Sequence, residues 1–189
     1  MNSTKKRNAL PGADDVLRRE MDNGITVLAR ENDSSRTVSL IAHLPGGTYN
    51  EPDEVGGVNR LMMSLLSSGT EYRDSDQIND YLETIGAAIS FSSHVHGYGM
   101  GIACLVEDFE PVLTLAMEML RVPTFPEHKF IQRRDQTLAS LRYRDHDTGA
   151  MAARLMRKLY YGTHPYSKDM MGTTESLAAL NREILAERH

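Results

Sequence analysis

The sequence lacks several features that would place it in a well-defined class of protein. It has a single cysteine, Cys104, so it cannot form an internal disulfide. The apolar neighbours of Cys104 predict that its side chain packs as a small hydrophobic group. The sequence also has no apolar segment long enough for a signal peptide or a transmembrane helix. We therefore expect a cytoplasmic protein with no membrane insertion.

An excess of positive charge is also missing. The 21 lysines and arginines face 26 aspartates and glutamates, which gives a formal net charge of -5. This balance gives no electrostatic reason to bind a nucleic acid. At 189 residues and 40% hydrophobic content, the chain is long enough for one domain with a sizeable core. We predict a flexible leader over residues 1–14 and a single domain over residues 15–189.

The N-terminal part has the periodicity of β-strands. Alternating apolar residues at 16–21 and 25–29 flank an Asn-Gly dipeptide at 23–24, which favours a tight hairpin turn. A third apolar run over 37–43 ends before Pro45, and the proline and the glycines that follow it stop a strand. These patterns predict a three-stranded antiparallel meander.

The rest of the chain combines helical and strand periodicity. Apolar residues at three- and four-residue spacing predict helices over 54–67, 74–85, 112–120, 126–145 and 147–161. Two further runs, 87–95 and 98–106, predict strands on either side of Gly97. Hairpins that alternate with groups of helices predict an α+β fold, in which an antiparallel β-sheet carries helices packed mainly on one face.

Seven short segments occur in an order that is typical of one family. They are residues 23–28, 45–51, 57–70, 85–88, 120–126, 161–166 and 172–176. Through them the chain resembles a half-subunit of the pitrilysin (insulinase-like) zinc metallopeptidases, which include mitochondrial processing peptidase. The resemblance covers residue 16 to the C-terminus and implies the half-subunit fold of this family. Because the family would add a strand after residue 189, the resemblance also implies a C-terminally truncated fragment of a longer chain.

The zinc-binding motif of this family is absent. Active members resemble inverted zincins, in which a helix carries His-x-x-Glu-His. Counted back from Gly69-Thr70, these three positions fall on Arg60, Met63 and Ser64. The third ligand of the family falls on Ser140 and a supporting acidic residue on Arg133. An arginine repels a cation, a methionine cannot act as a base and a serine hydroxyl is a poor zinc ligand. The resemblance therefore implies no catalytic residue and no metal ligand in this chain.

The helical spacing also predicts where these side chains point. At 100° per residue, positions 60, 63 and 64 are expected to share one face of the helix. The apolar stripe formed by Val58, Leu61 and Leu65 is expected to lie on the opposite face.

The substrate strand of the family falls on a serine-rich segment. In active relatives the strand after Gly86 pairs with an extended peptide through its backbone, and here the matching residues are Ser90, Phe91, Ser92 and Ser93. This pairing does not need zinc. An edge strand that is simply covered by a neighbour is the alternative explanation.

Two histidine-containing segments are weaker candidates for a site. His94 and His96 alternate on a predicted strand and so would share a face, but the spacing identifies no third metal ligand. Residues 145–147, Asp-His-Asp, lie between two predicted helices, where a helix cap and a solvated turn explain them.

The resemblance implies a non-catalytic role. Family subunits resemble two half-domains that face each other across a chamber, and two-chain members pair a zinc-bearing subunit with a metal-free one. We expect this chain to complete a peptide-binding chamber and to support proteolysis by a zinc-bearing partner subunit or domain, without zinc of its own. Two alternatives remain open. One is a structural core-type subunit of a larger complex, and the other is an active enzyme with an unrecognised site or with zinc elsewhere in its polypeptide.

Overall fold

The computed structural model describes residues 12–32 and 34–189. The chain divides into two compact units between Arg36 and Thr37, a division that the sequence did not predict. Most of the predicted leader, residues 1–11, lies outside the described residues, and Ala13–Asp15 form one turn of 3-10 helix. The leader and the single domain over 15–189 therefore stay predictions.

The first unit contains the predicted hairpin. Strands β1 (Leu17–Glu20) and β2 (Thr26–Ala29) are antiparallel, with Leu17 opposite Ala29. Gly24 has a φ of +83°, a conformation that is costly for residues with a Cβ. The hairpin is confirmed because its turn residues specify it locally.

The second unit contains a three-stranded antiparallel sheet. Its strands are β3 (Thr37–Pro45), β4 (Ala88–Ser93) and β5 (Gly97–Leu105), in the order β3-β5-β4. Within the described residues, β3 pairs with β5 and not with β2, so the predicted meander is wrong. A turn sequence fixes only the pairing of the strands that it joins, and no such turn joins β2 to β3.

Seven α-helices were found among the described residues. They are α1 (Val58–Leu65), α2 (Ser75–Ile85), α3 (Phe109–Arg121), α4 (Glu127–Arg144), α5 (Thr148–Tyr161), α6 (Thr174–Ala179) and α7 (Arg182–Arg188). No helix in the described part of the chain combines the length and the apolar character needed to cross a bilayer.

Local signals explain why α2 begins and ends as predicted. The carboxylate of Asp74 accepts hydrogen bonds from the backbone N–H groups of Asp76 and Gln77, which caps the first turn. At the other end, Gly86 adopts the left-handed conformation with a φ of +65°.

The helix α1 is shorter than predicted. The sequence predicts a helix over 54–67, but Asp53–Val55 form a 3-10 turn and α1 begins only at Val58. Gly57, which precedes α1, has a φ of +92°, and a Cβ there would lie 2.7 Å from the carbonyl oxygen of Met171. Only glycine fits this close approach, so the backbone breaks there before the helix starts.

The helices cover one face of the sheet, as the predicted fold class requires. Met100, Ile102 and Cys104 of β5 are buried on this face, against Val112 and Ala116 of α3. The burial of Cys104 confirms its predicted packing. The opposite face carries small or exposed residues, such as Ser90, Ser92, Gly101 and Ile41.

A second core surrounds α1. Five apolar residues of α1 and the residue that follows the helix are buried: Val58, Leu61, Met62, Met63, Leu65 and Leu66. They pack against Phe130 and Leu141 of α4 and against Leu177, Leu180 and Leu185 near the C-terminus. This packing fixes α1 relative to α4.

Candidate functional site

A small pocket lies between α1 and α4. It has a volume of about 230 Å³ and is lined by Gly57, Arg60, Leu61, Ser64, Arg133, Gln136, Thr137, Ser140 and Met171. Four of the five positions that the resemblance assigns to zinc chemistry line this pocket: Arg60, Ser64, Arg133 and Ser140. Residues from two helices that are distant in sequence therefore meet at one place.

The fifth position does not line the pocket. Met63 is only 4% exposed and packs in the core around α1. The prediction that residues 60, 63 and 64 share one face opposite the apolar stripe is therefore wrong for Met63, and Leu61 of that stripe lines the pocket instead. A methionine side chain can be buried here without a hydrogen-bond partner, whereas a charged carboxylate would need one.

The donor set of the pocket does not fit zinc. Arg60 and Arg133 supply positive charge, and no carboxylate, imidazole or thiol lines the pocket. In the part of the chain that the structure describes, no three His, Cys, Asp or Glu residues are grouped so that they could hold a metal ion. A cation entering this pocket would meet two guanidinium groups and only neutral oxygen atoms.

The hydroxyl groups of the pocket bond to their own helices. Ser64 Oγ donates to the carbonyl oxygen of Leu61 at 2.7 Å, and Ser140 Oγ donates to that of Gln136 at 2.9 Å. These are local bonds within a helix turn, which a hydroxyl exchanges for an outside partner by rotating about one bond. The two hydroxyls are therefore not bonded to each other across the pocket, and each can bond to a ligand instead.

A buried carboxylate fixes the start of α1. Glu51 is 2% exposed, and its two oxygens accept hydrogen bonds from the backbone N–H of Gly57 at 3.0 Å and of Asn59 at 2.8 Å. Burial raises the pKa of Glu51 above its ordinary value, and the two backbone N–H groups oppose this rise. A negative charge at this end also complements the helix dipole.

The buried amide of Asn59 connects α1 to three other parts of the unit. Its Nδ2 donates to the carbonyl oxygen of Gly47 at 2.9 Å. Its Oδ1 accepts from Tyr98 Oη of β5 at 2.8 Å and from Arg188 Nε of α7 at 3.0 Å. Neither Glu51 nor Asn59 was expected to have a role, although a polar residue beside the apolar stripe of a helix is a usable signal in the sequence.

The predicted peptide segment, Ser90 to Ser93, lies in β4, which is an outer strand of the three-stranded sheet. One side of β4 pairs with β5, and no other strand in the described residues pairs with its second side. The helix α1 lies against β4, and Phe91 packs on the core around α1. The candidate strand and the pocket therefore belong to neighbouring elements.

The register shows which backbone groups of β4 face outward. Just beyond the strand, the N–H of His94 donates to the carbonyl oxygen of Gly97 at 2.8 Å, so position 94 bonds toward β5. Backbone groups alternate in direction along an antiparallel strand. Ser92 and Ser90 therefore also bond toward β5, whereas Phe91 and Ser93 direct their N–H and C=O groups away from it.

The two histidines do not form a joint site. They lie in the turn between β4 and β5, not on a strand, so the prediction that they share a strand face is wrong. His94 Nε2 lies 3.0 Å from Ser92 Oγ, and His96 Nε2 lies 2.7 Å from Tyr166 Oη.

The helix-cap interpretation of residues 145–147 is confirmed. The carboxylate of Asp147 accepts from the N–H of Ala150 at 3.0 Å and caps α5, while Asp145 pairs with Arg154 at 3.0 Å.

Comparison with known families decides the assignment. The family model described as Insulinase (Peptidase family M16) matches residues 26–174. The chain belongs to peptidase family M16. The resemblance seen in the sequence is thus confirmed at the level of the family.

Individual M16 proteins agree with this assignment. The chain is 20% identical over 172 residues to the uncharacterized zinc protease YmxG of Bacillus subtilis, covering 91% of this chain and 42% of that protein. It is 21% identical over 168 residues to cytochrome b-c1 complex subunit 1 of Bos taurus, covering 89% of this chain and 35% of that protein. A peptidase M16 inactive domain from Pseudomonas fluorescens superposes with a TM-score of 0.87 and 25% identity, over 93% of this chain and 43% of that one. The chain thus spans less than half the length of these relatives.

Proposed function

We propose that this protein is a non-catalytic M16 member that holds an extended peptide along β4 and supports proteolysis by a zinc-bearing partner subunit or domain. One observation carries the proposal. The pocket lined by Arg60, Ser64, Arg133 and Ser140 offers two arginines and no metal ligand, while no strand in the described residues pairs with the outer edge of β4 beside α1.

The backbone of β4 supplies the peptide contacts in this proposal. Added-strand binding uses main-chain hydrogen bonds, so it survives substitutions that remove metal ligands. Phe91 and Ser93 carry the outward N–H and C=O groups, and Phe91 is held in place by its packing against the core around α1. A rigid edge lowers the entropy cost of binding a flexible peptide.

The zinc and the second wall of the chamber belong to another chain or domain in this proposal. Similarity to an inactive M16 domain supports the non-catalytic role, and similarity to a protein named as a zinc protease supports a peptidase context. The chain spans less than half of these relatives, and in this proposal another chain or domain supplies the rest of the chamber.

A proline substitution tests the β4 edge. Ser93→Pro removes an outward N–H and keeps the bonds toward β5, a placement that outer strands tolerate. We expect it to weaken binding of an unstructured peptide about tenfold, since one hydrogen bond is lost and the ring obstructs the edge. Ser93→Ala keeps the N–H and is the matched control, with unchanged affinity expected.

Amide chemical shifts in the same titration locate the peptide. Shifts centred on Phe91 and Ser93 support the proposal, whereas binding that leaves residues 90–93 unperturbed contradicts it. Equal affinities of the proline and alanine variants would also contradict it, provided that circular dichroism shows both to be folded.

A reconstitution assay tests the role of the partner. The protein alone is expected to show no metal-dependent cleavage of a quenched peptide, and cleavage is expected to appear only with a co-purifying zinc-bearing M16 chain. Cleavage by the protein alone, inhibited by a chelator, contradicts the proposal.

A structural core-type subunit is the second candidate. The similarity to cytochrome b-c1 complex subunit 1 favours it, because that protein's name places it in a multi-subunit complex. Affinity purification from the native source separates the two candidates. Recovery with a zinc-bearing M16 chain supports the first, and recovery with membrane subunits and no peptidase supports the second.

A further inference from the structure

The pocket between α1 and α4 carries positive charge with no partner in the described structure. Two other arginines of this unit pair with carboxylates: Arg144 lies 2.6 Å from Asp169, and Arg73 bonds to Glu118. Among the described residues, neither the Arg60 nor the Arg133 side chain makes an ion pair or a hydrogen bond. No acidic side chain lines their pocket.

We propose that this pocket binds one side-chain carboxylate of an extended peptide, so that the protein prefers acidic peptides. The inference rests on the proposed function and adds a specificity to it. The same two guanidinium groups that would repel a metal cation attract a carboxylate.

The chemistry of the lining residues fits a carboxylate. A guanidinium group offers a planar pair of N–H donors that matches the two oxygens of a carboxylate. Arg60 and Arg133 line the pocket from two different helices, α1 and α4, and in this proposal one carboxylate binds between them. The amide of Gln136 and the hydroxyls of Ser64 and Ser140 provide further polar contacts on the same wall.

The size of the pocket selects a single side chain. Its volume of about 230 Å³ is below the range of sites that enclose a whole drug-sized ligand, which begins at about 300 Å³. A glutamate or aspartate side chain needs much less room than such a ligand. The backbone that carries it must then lie outside the pocket.

The pocket lies next to the strand edge along which the peptide backbone is proposed to bind. The helix α1 contacts both β4 and α4, so Arg60 and Ser64 lie on the element between the peptide edge and Arg133. Side chains of an added strand alternate in direction, and in this proposal one that points toward α1 enters the pocket. An acidic residue in one of these positions is the ligand that we infer.

Peptides with blocked termini test the inference, because their only carboxylate is then in a side chain. One peptide carries a single glutamate that is moved along the sequence, and its partner carries glutamine at the same place. Wild-type protein is expected to bind the best glutamate peptide about tenfold more tightly than the glutamine peptide, as measured by calorimetry in low salt. Higher ionic strength should reduce this preference.

Charge-removing variants assign the preference to the pocket. In the double variant Arg60→Gln with Arg133→Gln, the two peptides are expected to bind equally, at the affinity of the glutamine peptide. Both side chains are exposed, so the variant is expected to fold. Arg142→Gln is the control, because Arg142 is exposed on α4 outside the pocket and should retain the preference.

The outcomes separate this inference from the proposed function. If wild type binds both peptides with equal affinity, the inference is overturned and the β4 edge remains a peptide site. If the double variant keeps the preference, the carboxylate binds elsewhere and the inference is again overturned. If neither peptide binds, the proposed function fails and the inference fails with it.

Discussion

The pocket between α1 and α4 and the outer edge of β4 lie on neighbouring elements but depend on different parts of the chain. The pocket is defined by side chains, and Arg60, Ser64 and Ser140 give it a chemistry that does not fit zinc. The edge is defined by backbone N–H and C=O groups at Phe91 and Ser93, which every residue except proline supplies in full. Substitutions can therefore remove a metal site while they leave a strand-pairing site in place.

The same comparison separates the residues that hold α1 in place from the polar residues that line the pocket. Met63 occupies a motif position but belongs to the core, and Glu51 and Asn59 hold α1 against its neighbours without any metal.

Rebuilding the metal ligands is the change with the largest expected effect on this comparison. The triple variant Arg60→His, Ser64→His and Ser140→Glu gives the pocket the three-ligand set of a catalytic zinc site. We expect zinc binding with a micromolar Kd or tighter, which corresponds to about 8 kcal/mol, measured by calorimetry. Arg60→His alone supplies one ligand and is the control. A triple variant with no gain in zinc affinity would show that these positions do not converge as described.

Removing the Glu51 carboxylate should loosen the helix that adjoins both regions. Glu51→Ala leaves the N–H groups of Gly57 and Asn59 without their buried acceptor, and we expect a loss of about 3 kcal/mol in the free energy of unfolding. Urea denaturation measures it. Glu54→Ala is the matched control, because Glu54 is exposed and should change the stability by less than about 0.5 kcal/mol. Equal losses in the two variants would contradict a structural role for the buried carboxylate.

Two residues of the degenerate motif should differ in their contribution to stability. Met63→Ala leaves a cavity in the core. We expect it to lower the free energy of unfolding by about 2 kcal/mol, which is at the lower end of the range for such truncations. Ser64→Ala removes only a hydroxyl that bonds within its own helix, and we expect a change of less than about 0.5 kcal/mol. Thermal unfolding measures both, and a smaller cost at Met63 than at Ser64 would place Met63 outside the core.

The pH dependence of stability gives the smallest predicted effect. Burial raises the pKa of Glu51 in the folded state, so the folded chain binds a proton more readily than the unfolded chain does. The contribution of Glu51 is therefore fully favourable below its unfolded pKa and is lost as the pH rises through the higher folded pKa. Relative to Glu51→Gln, wild type should gain stability as the pH is lowered through this window. If wild type instead loses stability relative to Glu51→Gln as the pH is lowered, the pKa of Glu51 is not raised by folding.

Much of the fold follows from local signals in the sequence. The Asn23-Gly24 turn specifies the first hairpin, and Asp74 and Gly86 mark the ends of α2. The pairing of β3 with β5 could not be predicted in the same way, because it joins strands that are distant in sequence. The helix α1 starts later than predicted because Gly57 lies close to Met171, and this contact also joins residues that are distant in sequence.

The candidate site was predicted in part. The family resemblance located Arg60, Ser64, Arg133 and Ser140, and the structure brings these four together. The helical spacing wrongly placed Met63 on the same face as Arg60 and Ser64, since the surface that a helical residue contacts depends on which elements pack around the helix. The charge of the pocket was visible in the sequence, but the absence of a carboxylate among its lining residues became visible only in three dimensions.

Elemental analysis of zinc in the purified 189-residue chain, before and after incubation with excess zinc and gel filtration, shows whether the chain holds a metal of its own. We expect much less than one zinc per chain in both samples, because the pocket between α1 and α4 has two arginines and no metal ligand. One tightly held zinc per chain, together with chelator-sensitive cleavage of a quenched peptide, would contradict it.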